Sequence, residues 1–360
     1  MQKIFTECRI KHVVCKNRLV FAPTTVGKVT ADFYEELAAG GVGMIVLADL
    51  SVVSSMMGDP DLSSMASEQW FRQVIEACHR HGCLVSAQLF HPEYDVEYMR
   101  TLYVQARAGQ GVSPSQAREA LAESTMHYCD ELTLENIEKL IEAFGAAAAR
   151  AERMGFDMVQ IHGDRLVGSF TSPLFNHRTD CFGNHMEFSR RIVECVRQTV
   201  QDIPVDYKLT IRMEEKNLGR GGISQSEIPK FVRMLDVAGV DAYHVTLANH
   251  TDVSNTIPGR NHPQLKEDGC FAELAKEVKR YTDHPVCAVG KLQKADMMEE
   301  LLDQDIDLVA MSRQLVADPE WPCKVREGRQ DIRYCLYCNS SCMDSIRSGR
   351  PITCVLRKEQ

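Results

Sequence analysis

The stretch LENIEKLIEAFGAAAARAERMGFDMVQIHGDR, residues 134–165, contains the unit from which the fold can be predicted. Its first part, Leu134–Met154, repeats apolar residues with helical period, and Thr133 before it is a suitable N-cap. Gly155 follows in a C-cap position. Residues 156–161 then form a short apolar run typical of a strand buried on both faces. A helix that leads directly into such a strand indicates a repeating strand–helix unit.

Seven further apolar runs of similar length are spread along the chain, and amphipathic helical stretches separate them. Helical periodicity occurs, for example, at residues 189–200, 227–238, 271–281 and 295–302. Eight strand–helix units predict an α/β fold, a (β/α)8 TIM barrel, with a doubly wound open sheet as the alternative. The eight predicted strands are residues 18–22, 44–48, 84–89, 156–161, 205–211, 242–246, 286–289 and 307–311.

The composition restricts the classes of function. The 360 residues are 44% hydrophobic and 25% charged, which suits one large globular domain or two smaller ones. The net charge of −9 disfavours a role in binding nucleic acid or a polybasic contact with membranes. No run reaches the ~18 apolar residues of a membrane span, and the N-terminus has no apolar signal-peptide core. We therefore expect a cytoplasmic protein that binds neither nucleic acid nor membranes.

Four of the fourteen cysteines follow the last predicted strand with the spacing C-x2-C-x3-C-x11-C: Cys335, Cys338, Cys342 and Cys354. Four thiolates from one compact segment can hold zinc or a [4Fe–4S] cluster. Zinc sites usually show two C-x2-C pairs, so a trio with one distant cysteine favours the cluster. Most of the other ten cysteines fit small buried apolar side chains. The predicted domains are a barrel over residues 1–330 and a cluster-binding segment over residues 331–360.

Polar residues and glycines follow most of the predicted strands. Active sites of TIM barrels lie at the C-terminal ends of their strands. Gly290 and Lys291 follow the seventh strand, and Ser312 and Arg313 follow the eighth, where barrels commonly bind phosphate. The pattern indicates a large anionic or polar cofactor, with solvated loops that carry basic residues by chance as the alternative.

Several blocks of the sequence, in order, resemble the iron–sulfur branch of the Old Yellow Enzyme family, which includes 2,4-dienoyl-CoA reductase and trimethylamine dehydrogenase. The resemblance covers nearly the whole chain. It implies FMN at the C-terminal ends of the barrel strands and a nearby [4Fe–4S] cluster. The blocks are KNRLVFAPTT (16–25), GGVGMIVLAD (40–49), SAQLFH (86–91), FDMVQIHG (156–163), SPLFNHRTDCFG (172–183), DLVAMSRQLVADP (307–319) and the cysteine-rich tail.

The resemblance also implies roles for individual residues. Ala48 leaves space for the flavin ring, and Gln88 hydrogen-bonds its pyrimidine edge. Lys208 stands near flavin N1, where a cation stabilises the reduced anion, with Arg212 as a competitor for that place. His162 meets the substrate or the flavin edge. The remaining implied contacts are Pro23, Thr24 and Thr25 through the backbone, and Gly290, Lys291, Ser312 and Arg313 around the phosphate.

The motif His162-Gly163-Asp164-Arg165 departs from the family pattern, which usually continues to a tyrosine that donates a proton. We expect Asp164, Arg165 and His250 to be the catalytic residues, and which of them gives the proton stays open. The motif resembles that of the bacterial bilirubin reductases. This implies reduction of the methine bridges of bilirubin to give urobilinogen, with Arg165 as a cation for a propionate. A solvated Asp164–Arg165 salt bridge is the structural alternative.

Other functions within the family stay open. One is a reductase of dienoyl-CoA, enone, steroid or cinnamate substrates, and another is an amine dehydrogenase or N-demethylase of the trimethylamine dehydrogenase type. The amine enzymes need aromatic side chains around a cation, and this chain has only 7% aromatic residues. A non-enzymatic electron-transfer subunit is a third alternative.

The source of electrons is a further expectation. Larger relatives add domains for FAD and a nicotinamide, whereas this sequence has no G-x-G-x-x-G fingerprint, and GRGG at residues 219–222 fits a turn. We expect reducing equivalents from NAD(P)H to arrive through a separate flavodoxin-like or flavin-reductase partner, which can itself carry FAD.

Overall fold

The computed structural model describes residues 2–54, 60–249 and 253–357. The strands are β1 (Cys8–Ile10), β2 (Val13–Cys15), β3 (Leu19–Phe21), β4 (Met44–Ser51), β5 (Leu84–Phe90), β6 (Met158–His162), β7 (Val205–Arg212), β8 (Ile223–Ser224), β9 (Ala242–Leu247), β10 (Val286–Ala288) and β11 (Leu308–Met311). The helices are α1 (Ala31–Ala39), α2 (Glu68–His79), α3 (Val96–Ala108), α4 (Pro114–Glu131), α5 (Leu134–Met154), α6 (Arg165–Phe170), α7 (Glu187–Thr199), α8 (Ile228–Ala238), α9 (Val253–Thr256), α10 (Ala272–Lys279), α11 (Ala295–Asp303), α12 (Arg313–Ala317), α13 (Trp321–Arg326) and α14 (Ser341–Ser348).

Eight of these strands form a closed parallel barrel. The order around the barrel is β3, β4, β5, β6, β7, β9, β10 and β11, and the pairing of β11 with β3 closes it. All neighbouring strands in this ring are parallel, and helices connect them along the outside. The predicted TIM barrel is therefore confirmed, and the open doubly wound sheet is wrong.

The local signals in the sequence explain why α5 begins and ends where it does. The Thr133 side chain accepts a hydrogen bond from the Asn136 N–H at 3.1 Å, as an N-cap should. Gly155 ends the helix in the left-handed conformation with φ 96°. The bounds of α5 are those that the sequence predicts, whereas α10 is shorter at both ends than predicted.

The hairpin of β1 and β2 closes the N-terminal end of the barrel. Ile10 and Cys15 from the hairpin pack against Val20, Val46 and Met158 on the interior faces of the strands. This apolar plug fills the lower part of the barrel, and the polar cavity described below opens at the other end. No helix in the described ranges is long and apolar enough to cross a membrane.

The cysteine-rich segment follows α13 and packs on α12. The Gln314 side chain donates to the Arg333 carbonyl at 3.0 Å and accepts from the Cys335 N–H at 2.9 Å. Tyr337 and Ile352 from this segment are buried. The segment is therefore attached to the barrel beside the ends of β10 and β11, and its treatment as a separate domain stays a prediction.

Candidate active site

A cavity opens at the C-terminal ends of the barrel strands, and residues from, or just beyond, all eight strands line it. Its lining contains twelve of the residues predicted to bind cofactor or substrate. A second cavity adjoins it, and Ala48 lies in the wall of that second cavity. His250 lies outside the described residues. The twelve are Pro23, Thr24, Thr25, Gln88, His162, Asp164, Arg165, Lys208, Gly290, Lys291, Ser312 and Arg313.

A column of polar side chains runs from the cavity into the barrel. Gln88 Nε2 donates to Gln160 Oε1 at 2.6 Å, and Gln160 Nε2 donates to Asp206 Oδ2 at 2.5 Å. All three side chains are buried, and Asp206 Oδ1 has no hydrogen-bond partner among the described residues. Burial raises the pKa of Asp206 to about 7, although the Gln160 hydrogen bond opposes the rise. Protein contacts therefore already hold the Gln88 amide in place.

Because Asp206 is buried, we expect the stability of the protein to depend on pH. The folded pKa of Asp206, about 7, exceeds the ordinary value of 3.8. Between these two pH values the folded state therefore holds a proton on Asp206 that the unfolded state has released. The free energy of unfolding should therefore fall between pH 5 and pH 8, by about 3 kcal/mol from this group. Asp206→Asn should remove that contribution. Urea unfolding of both proteins at the two pH values tests this, and equal losses in both would contradict it.

Lys208 provides a half-buried cation in the cavity wall. It lies on β7 between His162 of β6 and His244 of β9 in the strand register. Burial lowers the pKa of Lys208, whereas the nearby Asp49 carboxylate opposes the change. Arg212, the competitor for this place, is 2% exposed and bonded to Glu214 at 3.2 Å outside the cavity. Lys208 is thus the cation that β7 presents to a ligand.

His162 is a neutral hydrogen-bond donor. Burial lowers its pKa well below the ordinary value, and the Lys208 charge adds to the effect. Its Nδ1 accepts from the Asp164 N–H at 3.1 Å, so the ring proton sits on Nε2. Nε2 faces the Asp49 carboxylate at 3.7 Å and the cavity. Burial likewise lowers the pKa of His244 to about 3.

Asp164 is a buried acceptor, and the alternative of a solvated salt bridge with Arg165 is wrong. Its Oδ1 accepts from the Arg165 N–H at 3.0 Å and caps α6, and its Oδ2 accepts from the Asn249 N–H at 2.9 Å. Asp164 is only 4% exposed. The two N–H donors make the Asp164 carboxylate an anchor between β6 and the segment after β9. Its role as a proton donor stays a prediction.

Arg165 instead pairs with Glu93. The Arg165 Nη1 and the Glu93 Oε1 are 3.0 Å apart, and the two side chains are 28% and 10% exposed. The Glu93 carboxylate raises the pKa of Arg165, which keeps the guanidinium charged. Arg165 also has φ 56°, a left-handed conformation that non-glycine residues rarely adopt. Such conformations cluster at functional sites, and this one holds a permanent cation in the cavity wall.

The ends of β10 and β11 form the predicted phosphate region. Thr24 Oγ1 donates to Ser312 Oγ at 2.7 Å and joins β3 to β11. Gly290 has φ 118°, and a Cβ there would lie 2.6 Å from the Phe271 ring. Only glycine therefore fits between Phe271 and the cavity at this point. The backbone at this end of the cavity is shaped for close approach of a ligand.

Gly290→Ala should destabilise the protein and weaken flavin retention. The new Cβ would clash with Phe271 and strain a left-handed backbone, a cost of about 1–3 kcal/mol. Thermal unfolding with and without FMN measures both effects. Gly109→Ala is the matched control, because Gly109 also has positive φ but nothing within 4 Å of an added Cβ. Equal effects of the two substitutions would contradict the packing argument.

Tyr337 connects the cysteine-rich segment to this region. Its ring lies 4.8 Å from Lys291 Nζ and 4.9 Å from Arg313 Cζ, and its hydroxyl donates to the Lys291 carbonyl at 2.7 Å. Lys291 Nζ donates to the carbonyls of Leu265 and Lys266, and Arg313 Nη1 donates to Asn339 Oδ1 at 2.6 Å. Protein groups therefore already engage both predicted phosphate cations.

The four cysteines of the predicted cluster line one small pocket, in which Arg313 also lies. Burial raises the pKa of Cys335 to about 11 and also raises that of Cys342, and Arg313 opposes both changes. In the part of the chain that the structure describes, no three His, Cys, Asp or Glu side chains are close enough together to hold a metal ion. The cluster therefore stays a prediction. Among the other ten cysteines, Cys8, Cys15, Cys78, Cys83, Cys129 and Cys287 are buried.

Sequence reasoning missed several residues of the site. Asp206 lies two residues before the predicted Lys208 on a buried strand, and that period of two could have placed Asp206 in the barrel interior as well. His244 has the same signal in β9. Glu93 carried no local signal, because it meets Arg165 only through the fold. Asp49 follows Ala48 directly at the end of the second predicted strand, but no role was predicted for it.

The chain belongs to the NADH:flavin oxidoreductase / NADH oxidase family, the Old Yellow Enzyme family, whose model matches residues 3–331. It is a flavin-dependent oxidoreductase. It is 40% identical to a bilirubin reductase of Clostridium symbiosum (strain WAL-14163), over 100% of this chain and 98% of that protein. It is 34% identical to a bilirubin reductase of Mediterraneibacter gnavus (strain CC55_001C), over 99% of this chain but only 57% of that longer protein. A solved 2-naphthoyl-CoA reductase shares the fold with a TM-score of 0.80 and 23% identity, over 99% of this chain and 57% of that one.

Proposed function

We propose that this protein is an FMN- and [4Fe–4S]-dependent reductase that saturates the methine bridges of bilirubin in its conversion to urobilinogen. The observation that carries the proposal is the charged Arg165, held by the buried Glu93 in the wall of the cavity. Bilirubin carries two propionates, and a guanidinium suits a carboxylate through paired hydrogen bonds. The 40% identity to a bilirubin reductase over nearly the full length of both chains supports this substrate.

The residues of the cavity fit FMN. Lys208 offers a half-buried cation, His162 offers a neutral N–H donor, and the Gly290 backbone leaves space that a Cβ would fill. Asn249 Oδ1 is buried in the cavity wall without a hydrogen-bond partner among the described residues, and a ligand donor would satisfy it. FMN, when bound, supplies hydride to an electron-poor carbon.

The cysteine-rich pocket fits a [4Fe–4S] cluster in its donor set. Four thiols line it, and Cys342 also lines the main cavity, so the two sites adjoin. A cluster held there would pass single electrons toward the flavin cavity. We propose that these electrons come from NAD(P)H through a separate flavodoxin-like or flavin-reductase partner in the cytoplasm.

The chain's own residues would then position the substrate and complete its reduction. Arg165 binds a propionate, and His162 Nε2–H donates to a carbonyl in the cavity. Asp164 keeps the start of α6 and the segment after β9 in place. Of the three residues predicted to be catalytic, Asp164 and His250 are the candidates for giving the proton that completes each reduction, because Arg165 keeps its charge.

A substrate screen tests this function. Protein purified anaerobically and loaded with FMN, iron and sulfide is reduced with one equivalent of dithionite and mixed with bilirubin, cinnamate or a dienoyl-CoA. We expect rapid reoxidation of the flavin by bilirubin and slow reoxidation by the others. In a parallel sample, amines are added to the oxidised protein. Reoxidation by cinnamate or dienoyl-CoA but not bilirubin, or flavin reduction by an amine, would overturn the proposal.

A further inference from the structure

Asp49 stands on the wall between two cavities. It follows Ala48 near the end of β4 and lines both the main cavity and the adjoining one. Its Oδ2 accepts from Thr25 Oγ1 at 2.6 Å, and its Oδ1 is 3.7 Å from His162 Nε2. Its backbone has φ 55°, and its side chain is 32% exposed. A carboxylate with room for further donors is thus held at the junction by a backbone conformation that is rare outside glycine.

The adjoining cavity is mainly apolar and aromatic. Trp70, Phe90 and Tyr94 lie in its wall, with Leu50 and Val96. The Trp70 Nε1 already donates to the Val29 carbonyl at 3.1 Å, so its ring is held in place and offers its apolar surface. Aromatic walls of this kind suit a flat conjugated ligand. The cavity shares Asp49, Thr24 and Thr25 with the main cavity, so one ligand can extend through both.

The chemistry of the proposed substrate matches this arrangement. Bilirubin consists of two flat dipyrrinone halves, and each half carries a lactam N–H and a pyrrole N–H on the same edge. In the free molecule these donors are satisfied internally by the propionate carboxylates. A protein that binds the propionates elsewhere must supply a replacement acceptor for the N–H groups, because unpaired buried donors are costly.

We propose that the Asp49 carboxylate accepts the lactam and pyrrole N–H donors of one dipyrrinone half, whose rings occupy the cavity lined by Trp70, Phe90 and Tyr94. Arg165 takes the propionate that this exchange releases. The inference rests on the proposed function. It makes Asp49 a specificity-determining residue, because cinnamate and enoyl thioesters carry no such pair of N–H donors on the conjugated system.

Asp49→Asn tests the assignment, and asparagine tolerates the left-handed backbone at this position. Bilirubin is titrated into the oxidised, FMN-loaded protein, and binding is followed by difference absorbance. We expect the Kd for bilirubin to rise by about tenfold or more, since the acceptor loses its charge and one of its two acceptor oxygens becomes an NH2 donor. The Kd for cinnamate and the FMN content should stay unchanged. Asp303→Asn, a substitution of a surface carboxylate that is 64% exposed, is the matched control and should have no effect.

A second variant distinguishes the loss of the carboxylate from a general folding defect. Asp49→Glu keeps a carboxylate at the junction and should bind bilirubin more tightly than Asp49→Asn. Equal affinities of wild type, Asp49→Asn and Asp49→Glu for bilirubin would overturn the role of Asp49 while leaving the proposed function intact. Failure of the wild type to bind bilirubin would overturn both.

Discussion

Arg165→Met is expected to lower kcat/KM for bilirubin by about 10- to 100-fold, because a charge-assisted contact to a carboxylate is worth roughly 1.5–3 kcal/mol and Glu93 loses its partner. The side chain is the charged group that α6 presents to the cavity, and Glu93 holds it there at 3.0 Å. The measurement is anaerobic steady-state turnover of bilirubin with a dithionite-reduced donor. Arg165→Lys should retain part of the activity, since it keeps the charge but loses the planar fork.

A double variant distinguishes the effect of Arg165 on substrate binding from its effect on the stability of the protein. Arg165→Met alone leaves the Glu93 carboxylate, which is 10% exposed, without its cation, and this can destabilise the protein by about 3–5 kcal/mol. Arg165→Met combined with Glu93→Gln removes both charges, so stability should recover while turnover stays low. Recovery of turnover together with stability would show that Arg165 has only a structural role.

Cys338→Ser is expected to abolish most bound iron and to stop turnover that depends on an external electron donor. Serine cannot replace a thiolate ligand of an iron–sulfur cluster without a large loss of affinity. Iron and sulfide are assayed after anaerobic reconstitution, together with the FMN content. Cys181→Ser is the matched control, because Cys181 is exposed and outside the cysteine-rich segment.

Two results would contradict the prediction that the four cysteines hold an iron–sulfur cluster. Full iron content in Cys338→Ser, or zinc in place of iron in the wild type, would contradict the [4Fe–4S] assignment. Loss of iron with unchanged FMN would support it and would show that the two cofactor sites load independently. Loss of FMN as well would indicate that Tyr337 and Arg313 couple the cysteine-rich segment to the flavin cavity.

The barrel could be predicted because its signals are local. Each strand is a short apolar run, and α5 carries its own cap at Thr133 and its own stop at Gly155. The hairpin of β1 and β2 was missed because strands of three residues have too little pattern to distinguish them from loops. Helices α3 and α4 were missed because they form a partly exposed insertion between β5 and α5 that carries only a weak apolar stripe.

Which residues line the cavity could be predicted from the sequence, but the residues with which they pair could not. The rule that barrel strands end at the active site placed twelve of the predicted residues in one cavity. It could not show that Arg165 pairs with Glu93 rather than Asp164, since these partners are 72 residues apart. Nor could it show that Tyr337 engages Lys291 and Arg313, because a cation–π contact depends on tertiary packing alone.

The central claim is that this chain reduces the bridges of a tetrapyrrole. Its most direct test is to incubate the FMN- and iron-loaded protein anaerobically with bilirubin and a reductant, and to identify the product by mass spectrometry. The account predicts a colourless product that has gained two hydrogens for each saturated methine bridge and, in urobilinogen itself, two more for each reduced vinyl group. Recovery of unchanged bilirubin, from a protein that still reduces cinnamate or a dienoyl-CoA under the same conditions, would contradict it.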